Sequence, residues 1–390
     1  MTEQTFDKKT GLAFILAFGI VSLFADMAYE GMRSSTGPFL AQLGASATAV
    51  GFIAGAGELC GYLLRLLSAH LVERTRAYWL VALAGYVIQM AAVPLLAFAG
   101  QWWIAALLIV MERTGKAVRN PAANTMMSKA GEQIGQGWAF GLHEALDQTG
   151  ALAGPLIAAF VLAHHGSYRE AFLWLGVPAL LTVVSVVTVS LRFRYAGRIA
   201  VAPKDMQGTL TPTFWWYAGA AALIGFGFAD YPLIAFHYAK AGTVSAVAIP
   251  IFYAGAMGAS GAGSLVFGRW FDARGLGVLV PGVLIGAAVA PLVFFGGFAL
   301  ALTGTLLWGV ALGVHDAIMT AAIAQMVPEH ARARAFALFS ALYGIAWFIG
   351  SAAMGALYDV SLTAMVAISV VAELAALLPL AVAIRNRKAS

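Results

Sequence analysis

The chain of 390 residues is too apolar for a water-soluble protein, because 61% of its residues are hydrophobic and only 11% are charged. A soluble domain averages about 45–50% apolar and about 25% charged residues, so lipid must be the solvent for most of this chain. The net charge of +5 does not indicate a nucleic-acid surface, since the basic residues stand in short segments between apolar runs. The single cysteine, Cys60, excludes an intrachain disulfide.

Twelve apolar runs follow one another along the chain, separated by polar or glycine- and proline-containing breaks. They predict transmembrane helices over residues 11–36, 45–71, 77–99, 102–126, 137–163, 170–191, 213–239, 244–268, 277–297, 299–326, 335–358 and 362–384. The first run has no small-residue cleavage site after it, so we expect an uncleaved span rather than a signal peptide. The predicted fold class is an all-α membrane protein with twelve transmembrane helices.

Lysine and arginine are divided unevenly between the two sets of predicted loops. Only Arg169 and Lys240 fall in one set, whereas the other set and both termini hold many basic residues. The positive-inside rule therefore predicts a bacterial inner-membrane protein with both termini in the cytoplasm, which requires an even number of spans. The long polar stretch 192–212 becomes a cytoplasmic linker between a bundle of residues 1–191 and a bundle of residues 213–390.

Short stretches recur in the same order in the two predicted halves. Residues 139–142, AFGL, match residues 335–338, AFAL, and residues 24–26, FAD, match residues 228–230. The first offset also aligns Gly154 with Gly350, Arg119 with His315, and Asn120 with Asp316. A repeat of six plus six helices is one plan of secondary transporters, in which the binding site lies between the halves near the bilayer midplane.

Ionisable residues inside the predicted spans are concentrated in spans one, two, four, five, seven and ten. Each costs about 2.5–3.5 kcal/mol to insert, so such residues usually face a bundle interior or an aqueous cavity. Helical spacing of three, four or seven residues puts several of them on common faces. A buried acid that alternates between a paired and a solvated state can bind and release a proton. We therefore predict proton-coupling roles for Asp26, Glu30, Glu112 and Asp147.

The other intramembrane polar residues, together with aromatic ones, predict the lining of a substrate cavity. They are Tyr29, Arg33, Glu58, Arg113, His143, Asp230, Tyr231, His315, Asp316, Tyr343 and Trp347. Both charge signs and aromatic rings suit a polar or zwitterionic organic solute, or an amphiphile. Because the second half has fewer charges, we expect coupling in the first half and more of the apolar substrate contacts in the second.

Structural roles for the same charges remain open. Glu30 with Arg33, and Glu58 with Arg65, would also serve as structural ion pairs. Lys116 and Arg119 lie near the cytoplasmic end of span four and could extend to the membrane surface instead of facing the interior. Glu373 has no partner in its own span and receives no functional assignment.

Topology and short motifs together resemble the major facilitator superfamily. Residues 69–76, AHLVERTR, are similar to that family's signature after span two, and residues 268–275, GRWFDARG, are similar to its counterpart after span eight. The resemblance implies a cytoplasmic gate that uses Glu73, Arg74, Asp272 and Arg274. Residues 150–155, GALAGP, resemble a helix-packing motif of antiporters that includes Gly150, Gly154 and Pro155, which implies export by antiport.

Other classes of activity find no support in the sequence. Adjacent histidines at residues 164–165 point about 100° apart on a helix, which is poor geometry for one metal ion. No phosphate-binding glycine loop and no nucleophile motif occurs, so we expect no cofactor, no ATP-driven cycle and no enzyme. The expected partners are a small-molecule substrate, protons and the lipid bilayer, without nucleic acid, for a protein that is a monomer.

Three hypotheses follow. The first is a proton-coupled transporter of a small organic solute that works as an exporter. The second is an uncoupled facilitator, or an importer by proton symport, in which most charges are structural. The third is a non-transporting membrane receptor or assembly factor on the same fold.

Overall fold

The computed structural model describes residues 6–132, 134–197, 210–328 and 331–389, without the side chains at positions 136, 197, 316, 320, 324, 333, 388 and 389. The described chain is all-helical. Its helices are α1 (Lys8–Gln42), α2 (Ala47–Thr75), α3 (Tyr78–Leu95), α4 (Trp102–Gly131), α5 (Gln136–His165), α6 (Tyr168–Arg192), α7 (Pro212–Gly227), α8 (Tyr231–Ala241), α9 (Ala248–Arg274), α10 (Leu279–Phe295), α11 (Phe298–Met326), α12 (Arg332–Val360) and α13 (Leu362–Ala389).

Ten helical segments in the described part of the chain are long and apolar enough to cross a membrane. One of them, Ala248–Phe295, contains both α9 and α10, and another, Pro212–Ala241, contains both α7 and α8. Helix α4 is not among the ten, since its middle carries several charged residues. The number of twelve spans therefore stays a prediction.

The predicted seventh span is not a continuous helix. Helix α7 ends at Gly227 and α8 begins at Tyr231, so residues 228–230 break it. Pro232 explains the break, because proline has no N–H to donate to the preceding turn and its ring clashes with the carbonyl four residues earlier. The sequence-based prediction of one helix over residues 213–239 was wrong at this point.

Contacts between residues divide the chain into two compact units. The first unit comprises Met1–Ser35 and Cys60–Pro203, and the second comprises Thr36–Leu59 and Lys204–Ser390. The end of α1 and the start of α2 thus belong with the second unit, although they lie early in the sequence.

In the first unit, glycines allow helices to meet backbone to backbone. A Cβ atom on Gly154 of α5 would lie 2.0 Å from the Met27 carbonyl oxygen of α1, and one on Gly150 would lie 2.1 Å from the Leu23 carbonyl oxygen. A Cβ atom on Gly115 of α4 would lie 2.5 Å from the backbone nitrogen of Gln89 in α3. Such close approach is typical of small residues at membrane helix interfaces.

In the second unit, glycines also allow helices to meet backbone to backbone at several positions. A Cβ atom on Gly350 of α12 would lie 2.0 Å from the Phe226 carbonyl oxygen of α7. Gly350 is the residue that the sequence repeat aligns with Gly154. In the hairpin formed by the end of α1 and the start of α2, a Cβ atom on Gly37 would lie 2.1 Å from the Pro232 carbonyl oxygen of α8.

The carboxylate of Asp359, at the end of α12, caps the start of α2. It accepts hydrogen bonds from the Thr48 backbone N–H at 2.8 Å, the Thr48 hydroxyl at 2.8 Å and the Ala47 backbone N–H at 3.3 Å. The first backbone N–H groups of a helix have no partner inside the helix, and an acid is favoured there by the helix dipole as well.

Replacing Asp359 by alanine should lower the stability of the protein by about 1 kcal/mol, the usual cost of losing a helix cap. Thermal unfolding of the purified protein in detergent would measure the loss. Asp272, an exposed acid near the end of α9, offers the matched control Asp272→Ala, for which we expect a smaller change. Equal effects of the two substitutions would contradict a capping role for Asp359.

Candidate functional site

An acid pair lies inside the first unit, where α1 packs against α5. Asp26 of α1 is 5% exposed, and its carboxyl group lies near the Asp147 carboxyl group of α5. Two negative charges this close repel each other, and a proton on one of the carboxyl groups relieves the repulsion. The pair is therefore a candidate site for binding a proton.

Two cations of α4 approach the acid pair. The Lys116 ammonium and the Arg119 guanidinium each lie 4.0 Å from Oδ1 of Asp26. At 4.0 Å the attraction is Coulombic, because a hydrogen bond needs a shorter distance. The interpretation that Arg119 extends to the membrane surface was wrong, since it is 5% exposed and faces α3.

A chain of buried hydrogen bonds runs from Arg119 across α3. Arg119 Nε donates to Gln89 Oε1 at 2.6 Å, and Arg119 Nη1 donates to the Tyr86 hydroxyl at 3.0 Å. The Gln89 amide in turn donates to Glu112 Oε1 at 2.8 Å, and Glu112 is 0% exposed. The Gln89 amide thus bridges Arg119 and Glu112, which lie two turns apart on α4.

Tyr29 of α1 lies beside three cationic side chains. The Lys116 ammonium lies 3.9 Å from the centroid of its ring, and the Arg113 guanidinium carbon lies 5.0 Å from it. Its hydroxyl accepts a hydrogen bond from Arg33 at 3.3 Å. Both distances to the ring fall within the range of cation–π attraction. Glu30, the next residue, is buried as well.

His143 lies beside this network, one turn before Asp147 on α5. Its Nε2 atom is 2.8 Å from the Ser22 hydroxyl of α1, and its ring stacks on Phe18 at 6.4 Å between centroids. The side chains of α1, α3, α4 and α5 thus form one polar network, which we call the charged network of the first unit. It brings together Asp26, Tyr29, Arg33, Glu112, Arg113, His143 and Asp147 of the predicted residues.

In the second unit, the break between α7 and α8 places an acid among donors of α12. Asp230 is 2% exposed, and its carboxylate accepts hydrogen bonds from Trp347 Nε1 at 2.9 Å and from the Ser351 hydroxyl. Trp308 Nε1 donates to the Ala229 carbonyl oxygen at 2.9 Å. At the break, a side chain therefore supplies a hydrogen bond to the backbone in place of a helical one.

Aromatic rings surround this break. Phe228 stacks on Trp308 at 5.8 Å and meets Trp347 edge-on at 5.5 Å, while Tyr231 packs against Tyr253 at 4.3 Å. His315 meets Phe228 edge-on at 4.9 Å, and neither of its ring nitrogens has a hydrogen-bond partner among the described residues. Because an imidazole N–H buried without a partner is costly, this histidine is a candidate for contact with a ligand.

The remaining predicted residues take several positions. Tyr343 stacks on Phe339 and meets Trp347 edge-on at 5.4 Å, so it extends the aromatic group. Glu58 is half-buried near the middle of α2, within the second unit. The four predicted gate residues, Glu73, Arg74, Asp272 and Arg274, are all exposed. The side chain of Asp316 lies outside the described residues.

Several residues of these sites carry no charge and were not predicted. Gln89 and Tyr86 complete the charged network, and Ser351 and Trp308 complete the surroundings of the helix break. Gln89 could have been noticed as the one amide in the apolar sequence of α3. Ser351 and Trp308 had no such signal, because serine and tryptophan are common in membrane helices.

Comparison with known proteins gives the family. The model described as Major Facilitator Superfamily matches residues 11–274. An uncharacterized protein of Mycobacterium tuberculosis is 36% identical over 372 residues, which cover 93% of this chain and 91% of that protein. An uncharacterized MFS-type transporter of Methanocaldococcus jannaschii is 23% identical over 177 residues, which cover 45% of this chain and 44% of that transporter.

Solved structures share the fold at low identity. A mutant of the peptide transporter POT gives a TM-score of 0.77 at 13% identity, covering 98% of this chain and 99% of its own. A mutant of the nucleoside transporter NupG gives a TM-score of 0.76 at 12% identity, covering 94% of this chain and 99% of its own. A bacterial homolog of the human lysosomal transporter Spinster gives a TM-score of 0.69 at 14% identity, covering 96% of this chain and 95% of its own. The chain is thus a multi-pass membrane protein with a transporter fold, and it belongs to the major facilitator superfamily.

Proposed function

We propose that this protein is a secondary active transporter, which moves a small organic solute by alternating access and couples that movement to protons. The observation that carries the proposal is the pair of carboxyl groups of Asp26 and Asp147 inside the first unit, with Lys116 and Arg119 each 4.0 Å from Asp26. Two neighbouring carboxyl groups beside two cations can bind a proton and release it when their surroundings change, which is what coupling requires.

The coupling step can be stated for these residues. With one proton on the pair, a single negative charge faces Lys116 and Arg119. When the proton leaves, two negative charges face the two cations, so a rearrangement that brings the cations closer becomes favourable. Water must reach the pair for the proton to leave, so the step depends on conformation. Gln89 is hydrogen-bonded to both Arg119 and Glu112, so a movement of Arg119 would also displace Glu112 on α4.

The solute is proposed to be polar or zwitterionic with an apolar part. In the second unit, Asp230 would attract a cationic group, and the rings of Trp347, Tyr231 and Tyr343 would cover apolar surface. His315, whose ring nitrogens have no hydrogen-bond partner among the described residues, would donate to or accept from the solute. Peptides and nucleosides, named for two of the structural neighbours, fall within this chemical range.

The direction we propose is export by antiport with protons. It is supported by the resemblance of residues 150–155, which include Gly150, Gly154 and Pro155, to the helix-packing motif of antiporters. Gly150 and Gly154 lie at the contact with the part of α1 that carries Asp26. Exposed charges at the ends of α2 and α9, including Glu73 and Asp272, are proposed to take part in a cytoplasmic gate.

The proposed topology has twelve spans in two halves of six, residues 1–191 and 213–390, joined by the linker 192–212. It is supported by the ten apolar segments if α9 and α10 are two separate spans and α4 is a further span. The charges that remove α4 from the ten are turned toward α1 and α3 in the charged network, which makes a span through lipid acceptable. We place the protein, as a monomer, in the bacterial inner membrane with both termini in the cytoplasm.

Proton coupling can be tested without knowing the solute in advance. The purified protein is reconstituted into vesicles that contain a pH-sensitive dye, and a panel of amino acids, peptides, nucleosides and amphiphilic amines is added under an imposed pH gradient. We expect at least one solute to change the internal pH, and Asp26→Asn and Asp147→Asn to abolish that change.

Glu144→Asn and Glu144→Gln are the matched controls, because Glu144 is an exposed acid of α5 only three residues before Asp147. Solute flux that is equal with and without the gradient would instead indicate an uncoupled facilitator. Proton movement with the same sign as solute uptake would indicate symport. Absence of flux for every solute, with binding of one of them intact, would indicate a receptor or assembly factor.

A further inference from the structure

The only acid of the last helix is not a member of either polar site described above. Glu373, near the middle of α13, is 0% exposed. A Cβ atom on Gly286 of α10 would lie 3.0 Å from its Oε1 atom and 3.2 Å from its Oε2 atom. A Cβ atom on Gly227, the last residue of α7, would lie 3.1 Å from its Cγ atom. The Glu373 side chain thus occupies the space that two glycines leave open, and its carboxyl group faces Gly286.

Neither carboxyl oxygen of Glu373 has a hydrogen-bond partner among the described residues. An ionised carboxylate that is buried without a partner costs far more than a neutral acid in the same place. The carboxyl group is therefore in its protonated form in this conformation.

No charged group on the neighbouring helices offers an alternative. Helix α10 contains no titratable residue, and the only one of α7, Tyr217, donates its hydroxyl to the Met319 carbonyl oxygen. The titratable residues of α12 are Arg332, Arg334, Tyr343, Tyr358 and Asp359, and none of them is bonded to Glu373. On α13 itself, Arg385 and Arg387 follow about three to four turns later.

Glu373 lies against the end of α7, where the seventh span is broken. Ser369, one turn earlier on α13, donates a hydrogen bond to the Gly227 carbonyl oxygen at 2.6 Å. One face of α13 therefore covers the carboxyl end of α7, where the helix dipole further disfavours a negative charge. If the end of α7 moves away from α13, water reaches Glu373 and that dipole is removed at the same time.

We propose that Glu373 is a second proton-binding site, which holds a proton while α13 covers the end of α7 and releases it when the two helices part. The site uses no residue of the charged network. It therefore goes beyond the proposed coupling by Asp26 and Asp147, and it stands or falls separately.

Chemical modification of the wild-type protein tests the proposal directly. Dicyclohexylcarbodiimide, an apolar reagent, attacks protonated carboxyl groups in apolar surroundings, and mass spectrometry of the peptide with residue 373 detects the product. We expect modification at neutral pH that falls about tenfold for each pH unit once the site titrates. A water-soluble carbodiimide should instead modify Glu132, which is exposed and paired with Lys129 at 2.9 Å.

Infrared spectroscopy of the protein in lipid supplies the second measurement. The stretching band of the protonated carboxyl group should be lost in Glu373→Gln, remain in Glu132→Gln, and decrease reversibly as the pH rises. Failure of modification at every pH would overturn the proposal. A band or a modification that stays constant over the whole pH range of the folded protein would overturn it as well, because the proton would then be a fixed part of the structure. Either failure leaves the test of Asp26 and Asp147 unaffected.

Discussion

Replacing Arg119 by leucine should lower the stability of the protein by about 3–5 kcal/mol, the range seen when one partner of a buried charge pair is removed. Arg119 is 5% exposed, donates to Gln89 and Tyr86, and lies 4.0 Å from Asp26. Leucine fills part of the volume but leaves two acceptors without their donor and a carboxylate with one cation fewer. Equilibrium unfolding of the purified protein in mixed micelles would measure the loss.

A double substitution separates charge from packing in this prediction. Asp26→Asn together with Arg119→Leu removes both charges. The double variant should therefore lose less stability than the summed losses of the two single variants. Arg65→Leu is the control, because Arg65 is exposed on α2 and its guanidinium lies 5.8 Å from the centroid of the Tyr62 ring. If Arg119→Leu were no more costly than Arg65→Leu, the charged network would not be a stabilising unit.

The boundaries of most helices could be predicted from the sequence alone. Predicted spans such as 299–326 and 362–384 begin within a residue of α11 and α13, because a run of apolar residues that ends at a polar break is a direct consequence of burial in lipid. The exceptions are the C-terminal ends of α1, α4, α9 and α13, which extend five or six residues beyond the predicted spans, and the break at residues 228–230. Pro232 was present in the sequence, but proline also occurs inside continuous helices of this protein, such as Pro38 in α1.

The charged network was predictable in part. Spacing along a helix placed Glu112, Lys116 and Arg119 on one face of α4, and the structure turns that face toward α1 and α3. Spacing could not identify what lies opposite, so Arg119 was assigned an alternative place at the membrane surface. Its partners Gln89 and Tyr86 are uncharged residues of another helix, and only the packing of α3 on α4 brings them within hydrogen-bond distance.

Gly154→Ala should destabilise the contact between α1 and α5. A methyl group at this position would lie 2.0 Å from the Met27 carbonyl oxygen and 2.8 Å from the Gly31 backbone nitrogen of α1. Backbone atoms cannot rotate away as a flexible side chain can, so α1 and α5 must separate. We expect a loss of about 1–3 kcal/mol from overpacking. Because Asp26 and Asp147 sit on these two helices, the same shift should weaken proton-coupled flux.

Two other glycines make this prediction specific. Gly350→Ala should cost a similar amount in the second unit, since its methyl group would lie 2.0 Å from the Phe226 carbonyl oxygen. It should leave the acid pair of the first unit in place. Gly141→Ala, also in α5, meets no atom within 4 Å and should stabilise the helix by up to about 1 kcal/mol. Thermal unfolding of the three variants ranks them, and a Gly154→Ala protein as stable as Gly141→Ala would show that α1 and α5 do not meet at this glycine. Loss of stability in both Gly154→Ala and Gly350→Ala would mean that both glycines, which the sequence repeat aligns with each other, lie at tight contacts between helices.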